Sequence, residues 1–468
     1  MSAMPSTPAS PPDGGDAAAP KSFRTPIGTH DLAPPESGRW VALLGTFIAA
    51  ADRAGFGYLQ TPIFEDIGVF ARIGEGTDVV GKEMYEFFDR SDRHLALRPE
   101  CTASVCRAFA QHRPTTPWKV WYQGPFFRYE APQAGRYRQF HQIGAETLGT
   151  DDPDADVEII ALAAEFFRAI GLRRVPLLVN SMGDADTRAA YNDALSAYLQ
   201  QRAGDVDPAD RDKIERHPLR ILDSKRAATA AVAAEAPQIT DYLSADTAVH
   251  FERVREGLDA LGIEHAVEPK LVRGLDYYTR TTFEFRAASL DAAQDTICGG
   301  GRYNGLVEAL GGPPTPGIGF ALGIERLLLA CDAEGVFDVP TQRAEVWVVD
   351  TAGGTAARDL THELRSVGIR ADRAFDDRSI RAQMRAANRS GAEIALIVGT
   401  DEIDAGTVTV RPLRRPDGGD ADMAQQAVPR SELLSTLRAT FDALNAPALN
   451  TPAPNTPVPA SDDTSSPA

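Results

Sequence analysis

Apolar side chains recur every three to four residues over 40–54, which predicts a helix there. The next stretch, 58–66 (YLQTPIFED), is β-prone and reads as a strand. Pro62 inside it predicts an edge or interface strand rather than a central one. Two longer stretches rich in aromatic and β-prone residues, 118–128 and 140–146, flank the polar segment 129–138 with its Pro132 and Gly135. They predict two strands joined by a long loop. Helical spacing returns at 155–170. A mixed segment of about 174–270 follows, with a strand at 176–180 and several helices. Strands are predicted again at 281–286 and 317–322, and a helix from Gly323. This sequence of elements predicts an α+β fold: an antiparallel sheet with helices and an inserted helical segment. Residues 343–442 have a different rhythm. Buried strands at 346–349 and 394–398 alternate with helices at 356–367 and 379–390, stopped by Gly368 and Gly391. That alternation predicts a separate α/β domain with parallel strands.

The chain has 468 residues, 43% hydrophobic and 24% charged, enough for two to four globular domains. No run approaches the roughly 18 apolar residues of a membrane-spanning helix. Residues 1–20 and 445–468 are rich in Pro, Ala and Ser and poor in large apolar side chains. Such segments bury too little surface to offset ordering entropy, so both are expected to be disordered tails. The first lacks the features of a targeting leader. The four cysteines (Cys101, Cys106, Cys298, Cys331) form no CxxC pair, and no His/Cys cluster has zinc spacing. A disulfide scaffold or a zinc module is not expected, and a reducing cytoplasm is. The net charge of −18 excludes a globally basic nucleic-acid binder but leaves a local basic face open.

Several groups of residues carry candidate chemistry. On the strand 140–146, Phe140, Gln142 and Glu146 share a face with Gly144 between them. A glycine there leaves space above the sheet, and two flanking polar groups suit a small ligand; a solvated strand face is the plainer alternative. Arg128 ends the preceding strand, where its fork suits a phosphate, and Arg136 and Arg138 follow in the loop. In LRPECT (97–102), Pro99 suits the first turn of a helix. Glu100 and Thr102 either cap that helix or grip an ammonium group, and capping is favoured on the residues alone. In LVRGLDYYTR (271–280), a turn at Gly274 and Asp276 would bring Arg273 and Tyr278 together. The GGGRY stretch (299–303) reads by default as a turn. Arg378, Arg381, Arg385 and Arg389 form one basic stripe at helical spacing, a candidate phosphate-backbone contact or a solvated face. His141 points away from the Gln142/Glu146 face by parity and reads as structural.

Taken in order, these segments resemble histidyl-tRNA synthetases from about Lys21 to Asp442. The strongest signature is RGLDYYT (273–279). FRYEAPQAGRYRQFHQIGAE (127–146) resembles class II motif 2, GIGFALGIER (317–326) resembles motif 3, and Pro62 sits where the motif 1 interface proline is expected. LRPECT, NSMGD (180–184) and LRILDSK (219–225) are also family-like. The resemblance implies a catalytic domain over 21–340 and an anticodon-binding domain over 343–442. It implies ATP-dependent activation of L-histidine and transfer to tRNA(His) by a homodimer, with Mg2+ accompanying ATP and no resident metal. By resemblance, Arg128, Arg273 and Arg326 are catalytic, with Arg128 on the α-phosphate and Arg326 on the γ-phosphate of ATP. Glu100, Thr102 and Gln142 hold the ammonium group. Glu146 and Tyr278 complement the imidazole nitrogens, and Arg128, Arg273 and Tyr277 complete the histidine pocket. Gln133, Arg136, Arg381, Arg385 and Arg389 are expected to contact tRNA. Ala131-Pro132-Gln133 stands where bacterial members have Arg-Pro-Gln, which predicts weaker dependence on the extra 5′ guanosine. The alternative function is a synthetase-like regulatory subunit of ATP phosphoribosyltransferase, which binds histidine without charging tRNA. Arg128, Arg273 and Arg326, together with the second domain, argue against it.

Overall fold

An eight-stranded sheet organises the larger of two units, which divide after Pro340. The computed structural model describes residues 22–72, 81–272, 277–290, 295–338, 344–375, 378–414 and 424–445. The expected tail 1–20 lies outside them, as does 446–468 of the other. In chain order the strands of this unit are β1 (Gly57–Tyr58), β2 (Phe64–Asp66), β3 (Glu86–Phe88), β4 (His94–Leu97), β5 (Trp118–Phe127) and β6 (Gln139–Leu148). There follow β7 (Leu177–Ser181), β8 (His265–Val267), β9 (Thr279–Arg286), β10 (Thr296–Arg302) and β11 (Gly317–Gly323). The large sheet runs β1-β5-β6-β11-β10-β9-β7-β8, and β2-β4-β3 form a small separate sheet. From β5 to β7 every pairing is antiparallel.

The expected strand at 58–66 is two short ones in different sheets, β1 and β2. Pro62 lies between them, where its missing N–H interrupts no ladder. The GGGRY run is not a turn. Gly299–Arg302 belong to β10, between β9 and β11. Glycine is needed there for space. A Cβ on Gly300 would overlap the Gly319 carbonyl and the Phe283 ring, and one on Gly301 would press on the Tyr278 ring. Gly300→Ala is therefore expected to destabilise the unit by about 1–3 kcal/mol, as overpacking against a backbone atom does. Gly45→Ala, in a helix where a Cβ meets nothing within 4 Å, should instead stabilise by about 0.5–1 kcal/mol. Thermal unfolding of the two variants checks this, and equal midpoints would overturn it.

One core packs the helices Glu36–Arg53, Pro153–Ala169 and Ala245–Ala260 around the sheet. Phe47 anchors it, edge-on to Phe166, Trp121 and Phe320. A second cluster joins the helix Thr102–His112 to Tyr122, Phe126 and Tyr303. The inserted segment is narrower than 174–270. β7 and β8 are edge strands of the main sheet, and Phe251, Val254 and Leu258 pack in the main core. The independent part has its own core, with Tyr191, Leu195, Leu199, Ile221 and Val232. It is pinned by buried Asp210, which accepts hydrogen bonds from Lys213, Ser224, Arg226 and Thr229.

The second unit is a five-stranded sheet of β12 (Val346–Asp350), β13 (Ala371–Arg373), β14 (Ile394–Val398), β15 (Thr407–Pro412) and β16 (Gln426–Pro429), in the order β13-β12-β14-β15-β16. Only the β13-β12-β14 half is parallel; β15 and β16 add antiparallel. The sheet is thus mixed rather than parallel, because β14 and β15 are joined by only one short helix, Thr400–Ala405. In the helix Ile380–Ser390, Gln383 and Ala387 are buried while Arg381, Arg385 and Arg389 are exposed. The Gln383 amide exchanges hydrogen bonds with the Asp350 backbone (3.0 and 2.6 Å), which turns the arginine stripe outward.

Candidate active site

Strands β6, β10 and β11 meet one end of the helix Thr102–His112 and the loop after β5 around a single cavity. Its walls include Glu100, Thr102, Arg128, Gln142, Tyr277, Tyr278 and Arg326, seven of the residues expected in the site. Arg136, expected to contact tRNA, also lines it. Gln133 is exposed in the loop, closing a short turn with Arg136 (Gln133 N to Arg136 O 3.1 Å). Arg138 lies over the Tyr129 ring at 4.0 Å. Arg273 lies outside the described residues, as do Gly274 and Asp276 of the expected turn.

Glu100 is a cap. Its two carboxylate oxygens accept from the amides of Thr102 (2.7 Å) and Ala103 (2.9 Å). Burial pushes its carboxyl above the usual range, against these hydrogen bonds and the nearby Arg128. Pro99 precedes the helix instead of opening it, and its carbonyl accepts from Arg128 Nε at 3.0 Å. That bond, with the Phe140 ring 5.2 Å away, fixes the Arg128 stem. The space expected above Gly144 is filled. A Cβ there would overlap the phenol of Tyr122, the residue paired with Gly144 across β5 and β6.

Glu146 is fully buried and sits beneath the cavity rather than on its wall. Three hydroxyls surround it: Tyr303 (2.7 Å), Thr102 (2.8 Å) and Tyr122 (3.3 Å), all on side chains that line the cavity. Gly319 makes the room, since a Cβ there would overlap the carboxylate. Burial pushes the Glu146 carboxyl up to about 8, against these hydrogen bonds. Tyr122 and Tyr303 are the residues that sequence reasoning missed. Tyr303 ends GGGRY, read only for its glycines. Tyr122 is visible only once the register sets it opposite Gly144.

The other end of the cavity is cationic. Arg326 donates to the carbonyls of Gly135 (3.2 Å) and Thr296 (3.2 Å). Burial, and next the Arg136 charge, press its guanidinium below the usual arginine range. Arginines held together at this cost suit a polyanion. Between the two ends, the side-chain carbonyl of Gln142 is buried without a hydrogen-bond partner. His141 is structural, as parity predicts. It packs edge-on to Trp40, and its Nδ1 lies 3.0 Å from Glu325.

A cavity floored by antiparallel strands and ringed by arginines, in a chain whose second unit is a separate mixed α/β sheet, agrees with the class II aminoacyl-tRNA synthetase architecture that the motifs imply. Residues 28–327 match the model of histidyl-tRNA synthetase, and 345–440 match that of an anticodon binding domain. The chain belongs to the histidyl-tRNA synthetase family. It is 46% identical over 421 residues to the histidine–tRNA ligase of Rhodococcus erythropolis, covering 89% of this chain and 97% of the relative. The crystal structure of apo S. aureus histidyl-tRNA synthetase superposes with a TM-score of 0.73 at 34% identity, over 89% of this chain and all of that one. A Bacillus halodurans structure, described as an ATP phosphoribosyltransferase regulatory subunit/histidyl-tRNA synthetase, shares the fold at 18% identity. Its TM-score is 0.62, over 82% of this chain and 100% of that one.

Proposed function

We propose that this cavity joins L-histidine to ATP and that the chain then charges tRNA(His). The observation that carries the reading is the polarity of the one cavity: buried hydroxyls around Glu146 at one end, three arginines at the other, and the unpartnered Gln142 carbonyl between. Neutral imidazole has one donor and one acceptor nitrogen. The Glu146 cluster and Tyr278 supply the complements. Gln142 accepts from the α-ammonium group beside Glu100 and Thr102, and Tyr277 closes the pocket.

The histidine carboxylate attacks the α-phosphate. A carboxylate O–P bond forms, the bond to the bridging oxygen breaks, and pyrophosphate leaves with the electron pair. Arg128 neutralises the charge gathering on the α-phosphate, and Arg326 grips the γ-phosphate. The terminal adenosine of the tRNA then takes the histidyl group and AMP leaves. The role of Arg273 rests on its motif alone. The cavity's carboxylates already have partners: Glu100 and Glu325 accept from the amides of Thr102, Ala103 and His141, and Glu130 lies 3.7 Å from Arg136. Mg2+ would arrive on the ATP phosphates.

The anticodon end of the tRNA is proposed to meet the exposed Arg381, Arg385 and Arg389, and its acceptor end Gln133 and Arg136. A homodimer is proposed through the small sheet, where Ile63, Phe64, Phe87 and Phe88 are 40–65% exposed. No helix among the described residues is long and apolar enough to cross a membrane. A cytoplasmic site of action is proposed because Cys101, Cys106, Cys298 and Cys331 are all buried and none forms a disulfide.

Exchange of labelled pyrophosphate into ATP, without tRNA, tests the reading. Histidine alone among the twenty amino acids should support it. Folded protein that exchanges with none of them, yet binds histidine, would overturn the reading in favour of a regulatory subunit.

A further inference from the structure

Tyr278 lines a second cavity as well as the first. This cavity, of about 460 Å³, lies between the helix Ala185–Gln201 and the turn Pro218–Ile221 of the inserted segment. Arg188, Arg216, Arg220 and His217 line it, and among the described residues no carboxylate does, in a chain of net charge −18. Asp184, next to Ala185 on its wall, is committed to Thr187 and Ser244 (2.8 and 2.6 Å). The Arg188 guanidinium donates to the Tyr278 carbonyl over 3.4 Å and pairs with no carboxylate among the described residues. Arg216 is exposed. The Asn192 side-chain carbonyl is buried without a hydrogen-bond partner, and Met182, Leu219 and Val272 make the remaining wall apolar.

We propose that this cavity is a binding site for a small organic phosphate, separate from the ATP subsite and coupled to the histidine pocket through Tyr278. Arg188 and Arg216 grip the phosphate. The Asn192 carbonyl accepts from a hydroxyl or amine of the ligand, and the apolar wall takes its body. A ligand here meets one side of the Tyr278 environment while histidine meets the other, so the two affinities are linked and reciprocal. The coupling rests on the histidine reading above; the binding itself does not.

The test uses phenyl phosphate as probe and the intact chain, with dissociation constants from calorimetry. Arg216→Ala, at an exposed position, should weaken phenyl phosphate at least about tenfold, the worth of one charge-assisted hydrogen bond. Arg128→Ala should leave that affinity unchanged. Phenyl phosphate should also shift the KM for histidine in pyrophosphate exchange by about threefold or more, and Arg216→Ala should abolish the shift while preserving exchange without the probe. Binding lost in Arg128→Ala and kept in Arg216→Ala would place the probe in the ATP subsite and overturn the proposal. So would absence of binding at millimolar probe. An Arg216→Ala variant unchanged toward phenyl phosphate but raised in KM for tRNA would make this face a nucleic-acid contact instead. If no amino acid supports exchange but phenyl phosphate still binds through Arg216, the active-site reading fails and the site stands.

Discussion

Arg128→Ala is expected to lower histidine-dependent pyrophosphate exchange by about 10²–10³-fold, the usual effect of losing one group that stabilises transition-state charge. The loss should fall on kcat more than on the KM for histidine, because the charge on the α-phosphate grows only as the carboxylate attacks. Arg128→Lys should recover little. The guanidinium is fixed by its Nε bond to Pro99 and by the Phe140 ring, and a lysine ammonium offers neither the second donor nor the planar face. Steady-state exchange kinetics on both variants decide it. A lysine variant within a few-fold of the parent would mean that charge alone suffices and that the planar fork is dispensable.

Glu146→Gln is the second large effect, with an expected fall in kcat/KM for histidine of about 100-fold or more. The amide is isosteric, but its nitrogen donates twice and accepts nothing, unlike the hydroxyl of a protonated carboxyl, so a Tyr303, Thr102 or Tyr122 hydroxyl that donates to that atom must turn around. Those hydroxyls face the cavity, so the donor and acceptor pattern offered to imidazole changes with them. The same variant has a signature in stability. The Glu146 carboxyl sits at about 8 in the folded chain against an unperturbed 4.5. Between these values the folded state holds a proton that the unfolded state has lost, so stability falls as pH rises through that window. The slope is at most about 1.4 kcal/mol per pH unit for one proton. The parent should lose melting temperature from about pH 5 to 8 more steeply than Glu146→Gln, in the absence of histidine. Parallel melting profiles would show that the carboxyl is ionised at neutral pH and would remove this part of the account.

Much of the candidate site was legible. Glu100, Thr102, Arg128, Gln142, Tyr277, Tyr278 and Arg326 come together as their motifs implied. Parity along one strand placed Gln142 and Glu146 on one face and His141 on the other, because side-chain alternation is a property of the strand alone. The errors share a cause. Gly144 looked like an opening because its cross-strand partner was unknown, and that partner is Tyr122. Glu146 looked like a wall residue because nothing local shows that three hydroxyls cover it. GGGRY looked like a turn because glycine is a turn former by local propensity. In β10 its glycines answer crowding by Phe283, Tyr278 and the neighbouring strand.

By itself the sequence determined the longer helices and strands and the change of rhythm near residue 343, which depend on spacing along the chain, and its motifs carried the resemblance to the family. The tertiary structure alone decided which strands pair and in what register. It therefore decided where the sheet leaves room, which carboxylate is buried, and that β15 and β16 run antiparallel. These follow from contacts between residues far apart in sequence, whose crowding and desolvation no local pattern records.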